Sequence, residues 1–436
     1  MRVTTFTASY VLLASRVFCE RAVSMNLATP LAQPRRAAFA FIIFTVVLDM
    51  LALGIVIPVL PKLVESMEGG NTASAAAIYG WFGFTWAMMQ FFCSPIVGAL
   101  SDRFGRRPVI LMSNLGLGVD YIVMALAGGI PWLLIGRAIS GMFAASISTA
   151  YAYIADVTPP EQRAVRFGKL GAAFGLGFII GPAVGGLLGD FDQRLPFWVA
   201  AGLSLANAAY GYFVLPESLP PEKRDSFRWS RANPFASLKL LRSHAELFGL
   251  AGVGFLMNFA HFVLPSTMVL YAGYRYGWDA KAVGLFLAGV GICSVIVQGG
   301  MVRPFIARFG QRQTLLIGLV FGAIGFAIYG LAPTGQLMLI GLPIMAIWGL
   351  SGPALQALMT ERLGPSEQGK LQGANTSMMG IAGMIGPLLF TKIFAEAIGP
   401  HRDGSLPGAP LLLAAALMVI ATLLAWQVAR SVRIRA

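Results

Sequence analysis

Asp49, Asp120 and Arg137 stand well inside long apolar runs, where ionisable residues are rare. A charge held in such surroundings costs at least about 2.5–3.5 kcal/mol, so these groups pair with one another, line a polar path or carry protons. A guanidinium beside an aspartate competes with a proton for the carboxylate, and that competition suits proton uptake on one side and release on the other. For Asp49 and Asp120 the alternative is a structural hydrogen bond, and for Arg137 a purely structural ion pair. Gln90, Asn258, His261 and Gln298 are further polar side chains in apolar runs and are the candidate ligand contacts. His261 follows "LMNFA" with no motif behind it, and a packing histidine is its better reading.

A second concentration of charge lies in "GALSDRFGRRPVI", residues 98–110, which joins two apolar runs. Gly98 allows close helix approach. Asp102 falls where one helix ends and the next begins, and a carboxylate near a helix N-terminus is favoured by the helix dipole. Arg106 or Arg107 can pair with it. Arg103 and Gly105 complete a cluster that anchoring alone does not explain, because anchoring requires neither an acid nor a glycine.

These residues need elements to hold them. The chain is 57% hydrophobic and 12% charged over 436 residues, whereas a soluble domain carries about 25% charged residues. Its apolar runs of roughly 20 residues match the hydrocarbon thickness of a bilayer. Twelve spans are predicted, near 37–60, 78–100, 108–129, 131–154, 168–190, 196–216, 246–271, 280–302, 313–332, 336–360, 371–394 and 409–429. Of the 32 Lys and Arg residues, Arg137 is intramembrane and six (Lys62, Arg194, Arg275, Lys281, Lys392 and Arg402) fall on one side. The other 25 fall on the opposite side with both termini, and the positive-inside rule makes that side cytoplasmic. The net charge of +13 therefore reports topology, and scattered over short loops it is a poor nucleic-acid surface. Cys19, Cys93 and Cys293 form no disulfide or metal pattern and read as small apolar fillers. "YVLLASRVF", interrupted by Arg16, makes a poor signal peptide. Residues 1–36 read as a cytoplasmic tail, or as an over-extended start with Met25 the true one.

Shifting the chain by 205 positions lays "RFGRR" (103–107) on "RFGQR" (308–312), Pro160 on Pro365, Gly168 on Gly373, and Gly181-Pro182 on Gly386-Pro387. The fold class expected is an all-α polytopic membrane protein of two parallel six-helix halves. The halves are 37–216 and 246–430, joined by a charged cytoplasmic loop, 217–245, with a short tail at 431–436. Carriers built from such repeats bind substrate near the midplane, between the halves.

At this point the chain resembles the major facilitator superfamily and, within it, the drug–proton antiporters of the tetracycline-efflux class. "GALSDRFGRRPVI" resembles the superfamily's loop motif after the second span, and "RAISGMFAA" (137–145) its fourth-span motif. "GLGFIIGPAVGG" (175–186) resembles its fifth-span antiporter motif. "LDMLALGIVIPVLP" (48–61) and "RYGWDAKAVGLFLAGVG" (275–291) are similar to segments of the tetracycline group. The resemblance implies that the 98–107 cluster clamps the halves in the outward-facing state and releases them in the inward-facing one. The second copy has Ala307 where Asp102 overlays, so an asymmetric gate is expected. It also implies proton coupling through Asp49, Asp120 and Arg137, and a fifth span whose Gly177, Gly181, Pro182, Gly185 and Gly186 form a bent, tightly packed ridge that limits proton leak. Glu161, Arg163 and Gly168 cap the joint between the fourth and fifth spans. Two departures stand out: the class's eighth-span histidine aligns with Ser294, and its ninth-span acid with Gly322. Tetracycline itself is therefore an open question. Trp81, Phe84, Trp86, Met88, Met89, Phe259 and Trp348 suit a planar or amphipathic substrate, and equally suit ordinary packing.

The expectation is a proton-driven exporter of an amphipathic small molecule, working as a monomer in the inner membrane, with no cofactor beyond the proton gradient. A metabolite facilitator or importer is the alternative. A membrane-embedded enzyme would need a metal pattern, a nucleophile motif or a phosphate loop, and a sensor would need a soluble signalling domain.

Overall fold

The computed structural model describes residues 32–144, 146–224, 245–363, 368–399 and 406–431, and these are helical nearly throughout. In chain order the elements of the first half are α1 (Ala32–Val56), α2 (Leu60–Met67), α3 (Thr72–Phe104), α4 (Arg106–Leu126), α5 (Ile130–Phe143), α6 (Ser146–Val157), α7 (Pro160–Phe191) and α8 (Leu195–Val214). The second half holds α9 (Ala245–His261), α10 (Val263–Tyr276), α11 (Ala280–Ile296), a π-turn (Val297–Met301), α12 (Val302–Leu331), α13 (Gly335–Ile347), α14 (Ser351–Thr360), α15 (Gln368–Ile398) and α16 (Ala409–Ser431). Residues 1–31, most of the central loop, His401, Arg402 and the last five residues lie outside the described set.

Eleven stretches among the described residues are long and apolar enough to cross a bilayer, and one of them, Ala280–Leu331, runs for 52 residues. At 1.5 Å per residue it is about 78 Å long, more than twice the roughly 30 Å hydrocarbon core. It breaks at Gly310, which takes φ +76°. Two candidate crossings meet there, which makes twelve among the described residues.

Gly310 is the repeat partner of Gly105, which takes φ +106° between α3 and α4. Only glycine adopts that backbone region without strain, so the two "RFG" copies make the same reversal. Polar residues directly preceding α3 and α11 cap them at the end opposite these loops. Asn71 accepts from the Ser74 amide at 3.1 Å, and Asp279 from the Ala282 amide at 2.7 Å. Ala127 and Ala332, one repeat apart, end α4 and α12. Each of their carbonyls accepts from an arginine, Arg194 Nη2 at 2.8 Å and Arg275 Nε at 2.9 Å. A cation at a helix C-terminus also meets the negative end of the dipole.

The halves meet along two antiparallel helix pairs, α7 with α11 and α3 with α15. A Cβ built on Gly186 would lie 3.1 Å from Gly284 Cα, one on Gly291 3.3 Å from Ile179 Cα, and one on Gly175 3.4 Å from Val295 Cγ2. On the other pair, a Cβ on Gly80 would lie 3.2 Å from the Pro387 oxygen, on Gly83 2.6 Å from Pro387 Cβ, and on Gly383 3.3 Å from Ala87 Cβ. Toward the basic end this closeness stops. A Cβ on Gly98, Gly168, Gly171, Gly299 or Gly300 meets no described heavy atom within 4 Å, while Val295 and Ile296 are half exposed. The two halves are sealed at the sparsely charged end and splayed at the basic end.

Candidate functional site

The first half carries two buried polar groups along α4. Asp49 on α1 is one: Asn207 Nδ2 on α8 donates to its Oδ1 at 2.8 Å and to the Thr45 carbonyl at 2.9 Å. Asn114 on α4, with its amide turned to satisfy both neighbours, donates to Asp49 Oδ1 at 3.0 Å and accepts from Asn207 at 3.1 Å. This ring ties the first, third and sixth spans. Neither asparagine stands out in the sequence, because amides inside apolar runs carry no charge signal.

Asp120 lies six residues beyond Asn114 and is fully buried. A Cβ on Gly136 would lie 2.8 Å from Asp120 Oδ1, so the carboxyl group rests against the α5 backbone. Arg137 and Ser140 of the same helix lie beside it. The Arg137 guanidinium stands 5.6 Å from the centre of the Trp86 ring on α3. Tyr121, the next residue on α4, is also fully buried.

At the 98–107 loop, Arg106 is the organising side chain. Its Nη1 donates to Asp102 Oδ1 at 2.5 Å and to Ser101 Oγ at 2.7 Å, and its Nε donates to Asp156 at 3.0 Å. The expected Asp102–Arg106 pair is present. The acid on the third span's N-terminus, however, is Glu217 rather than Asp102. Its carboxylate accepts from the backbone amides of Arg106 (2.9 Å) and Arg107 (3.3 Å), and of Ser218 (2.9 Å) and Leu219 (3.0 Å). Asp102 sits at the C-terminal end of α3 and, among the described residues, accepts from the Arg106 side chain, whereas the chain after α8 brings Glu217 under the exposed amides. Arg107 turns away to donate to the Tyr212 carbonyl. Arg103 lies 5.1 Å from the Phe104 ring centre. Gly98 does not make the close helix approach expected of it, because the basic ends of α3 and α15 stand apart in this state.

The second copy repeats part of this cluster. Gln311 overlays Arg106 and Glu361 overlays Asp156 at the same offset of 205, and Gln311 Nε2 donates to Glu361. The offset could have revealed this pair, which is hidden because a glutamine replaces an arginine.

The fifth-span motif has two working faces. Gly177, Gly181 and Gly185 receive α1: a Cβ on Gly54 would lie 2.9 Å from Gly181 Cα, and one on Gly185 2.7 Å from the Ile55 carbonyl carbon. Pro182 and Gly186 face α11 of the other half, where a Cβ on Gly284 would lie 3.2 Å from the Pro182 carbonyl carbon. The ridge is therefore both a packing seam and half of the seal. α7 runs unbroken through Pro182. Pro387, the repeat partner of Pro182, faces α3 in the equivalent seal, while Gly386 packs against Phe262 within its own half.

Of the candidate ligand contacts, His261 and Gln298 converge on one turn. The His261 ring is exposed and lies 5.4 Å from the Trp348 ring centre, and Gln298 borders Gly349. Asn258 is turned back to its own helix, donating to the Gly254 carbonyl at 2.8 Å. Gln90 belongs to α3 in the other half. Cys93 and Cys293 are free. The side chains of Glu161 and Arg163 lie outside the described residues, and a Cβ on Gly168 touches nothing described.

Two helical halves sealed at one end and open at the other, with a buried acid and arginine inside one of them, define a membrane carrier. The comparisons place it further. The Major Facilitator Superfamily model matches residues 42–387 and 303–433, and the chain belongs to that family. It is 37% identical to the tetracycline resistance protein, class C, of Escherichia coli over 360 residues, 83% of this chain and 90% of that one. It is 35% identical to the class G protein of Vibrio anguillarum over 364 residues, 84% of this chain and 92% of that one. The crystal structure of the human organic anion transporter MFSD10 (TETRAN) superposes with a TM-score of 0.67 at 23% identity, covering 91% of this chain and all of that one.

Proposed function

We propose that this protein is a proton-coupled exporter that exchanges protons for an amphipathic small molecule or drug by alternating access. Its likeness to several classes of tetracycline resistance protein over most of its length carries this reading and makes tetracycline-like compounds the first substrates to test. The protein sits in the cytoplasmic membrane with both termini inside, so the splayed basic end faces the cytoplasm and the structure is inward-facing. It acts as a carrier and not as an enzyme, and a single copy holds the whole path. The proton gradient is its only energy source, worth roughly 2.3 kcal/mol per charge at 100 mV.

Asp120 and Arg137 are the exchange pair. A buried carboxylate left with neither a cation nor a proton costs several kcal/mol. Asp120 therefore alternates between a pair with Arg137 and a protonated form, and movement of the Arg137–Trp86 couple selects between them. Substrate in the space between the halves meets Trp86 on one side and His261 with Trp348 on the other. Asp49 is the second candidate acid, although its amide ring binds it more firmly to structure.

The test has two arms. In a pump-deficient host, the wild-type protein should protect against at least one compound in a panel of toxic amphiphiles that includes tetracycline. Asp120→Asn should not. With purified protein in weak buffer, that compound should release protons from wild type and not from Asp120→Asn or Arg137→Ala, with Asp49→Asn measured alongside. Protection against no compound removes the export reading, and undiminished release from both aspartate variants moves coupling out of the first half.

A further inference from the structure

At the basic end, Asp102 and Asp156 accept from Arg106, and Glu217 accepts from four backbone amides. Arg103 and Arg107 have no carboxylate within ion-pair distance among the described residues. The offset of 205 lays them on Arg308 and Arg312, which also form no ion pair among the described residues. Each half thus carries two guanidinium groups at its basic end whose charge the described carboxylates do not balance.

All four stand beside exposed aromatic residues. Arg103 Cζ lies 5.1 Å from the Phe104 ring centre, and Arg308 Cζ 5.6 Å from that of Phe309. Arg107 donates to the Tyr212 carbonyl near the end of α8, with its Cζ 5.8 Å from the Tyr212 ring centre. Arg312 Nη2 donates to the Trp426 carbonyl of α16 at 3.4 Å. Phe104, Phe309, Tyr212 and Trp426 are exposed, and Phe213 beside Tyr212 is 82% exposed. Arginine and aromatic side chains at helix ends settle at the level of lipid headgroups. Further along α4 an apolar face turns outward at Met112, Leu115 and Val119. Val320 and Ile324 of α12 are exposed one repeat later. The α4–α8 and α12–α16 edges each lie within one half, so neither belongs to the seam between the halves.

We infer that these edges are a pair of binding sites for anionic phospholipid, one built on Arg103, Arg107 and Tyr212 and the other on Arg308, Arg312 and Trp426. An arginine has five N–H donors, and the carbonyl contacts leave donors that a phosphodiester takes in a bidentate pair. The aromatic rings border the glycerol region, and the acyl chains lie along the outward faces of α4 and α12. Basic groups at the ends of membrane helices favour acidic headgroups, by about fivefold for each arginine near the surface. The apolar faces next to the guanidinium groups select a lipid over free phosphate. Occupancy of these sites does not depend on which compound is carried.

Native mass spectrometry of the full chain in detergent counts the lipids it retains. With phosphatidylglycerol added, the wild-type protein should hold one molecule at each site. Phosphatidylcholine with the same acyl chains should bind more weakly, by about fivefold or more. Arg103→Gln with Arg107→Gln should remove one phosphatidylglycerol and keep the other, and the retained lipid shows that the variant is folded. Arg308→Gln with Arg312→Gln should do the same at the second site. Lysine at either pair of positions keeps the charge and should retain both lipids. Arg166→Gln with Lys169→Gln removes as much charge from the same end, where Arg166 Cζ lies 4.0 Å from the Phe39 ring centre. That variant should also retain both. Excess inorganic phosphate should displace neither lipid. Equal retention of phosphatidylcholine by wild type overturns the inference, as does an equal loss from the Arg166 and Lys169 variant. Displacement by phosphate overturns it as well, because the sites would then take a free anion and not a lipid.

Discussion

Gly181→Ala tests whether the seam between the first and fifth spans is as tight as the geometry requires. The added Cβ would lie 2.6 Å from Gly54 Cα, 2.9 Å from Gly54 C and 3.0 Å from the Leu51 oxygen. All three are backbone atoms, so no rotamer change relieves the clash. Carbon atoms in contact sit about 3.5–4.0 Å apart, and the helices must therefore separate by roughly 1 Å. Overpacking of this kind costs about 1–3 kcal/mol. Alanine's better helix propensity returns up to about 1 kcal/mol, which obscures the clash in a single variant. Gly202→Ala supplies the correction. It lies inside α8, and its Cβ would meet nothing described within 4 Å. The difference between the two variants isolates the clash, and should be about 1–3 kcal/mol with Gly181→Ala the less stable. At roughly 2–4 °C per kcal/mol for a unit of this size, thermal unfolding in detergent, followed by intrinsic fluorescence, resolves it. Equal melting temperatures for the two variants would refute the backbone-to-backbone seam.

Glu217→Ala removes a cap from the third span and should cost about 0.5–2 kcal/mol, with faster amide exchange at residues 106–107 and 218–219. Unchanged exchange there would return the cap to the solvent. Asp102→Asn should leave expression intact and lower transport about fivefold, the effect of about 1 kcal/mol for a partly exposed pair on the balance of states. Substrate affinity in detergent should fall less, and an undiminished transport rate would reduce the cluster to anchoring. Asn71→Cys should react with a membrane-impermeant thiol reagent on intact cells and Glu222→Cys only after permeabilisation; the reverse pattern would invert the topology.

Much of this protein was legible before any tertiary structure. Hydropathy fixed the crossings because an apolar run of about 20 residues satisfies its own backbone in a bilayer only as a helix, and even the merged Ala280–Leu331 stretch divides where the "RFGQR" copy sits. The repeat at 205 placed the loop glycines and the Gly-Pro pairs in equivalent roles. Asp102–Arg106 followed from spacing of four on adjoining helix ends. Hidden from the sequence were the neutral partners: Asn114 and Asn207 around Asp49, and Gly54 and Gly284 opposite the fifth-span ridge. These become partners only when separate helices are brought together, and amides and glycines are too common to announce it. Glu217 was missed for a related reason, since it lies 111 residues from the amide it caps.

Local chemistry along the chain thus determined the class of protein, its twelve crossings and which residues are charged within the membrane, because each of those depends on the solvent a segment must satisfy. Tertiary structure alone decided that Asp49 and Asp120 belong to different polar groups, that one ridge serves both a half's interior and the seal, and that the basic end stands open. Those outcomes depend on how one helix face meets another, and periodicity along a single helix does not specify its partner.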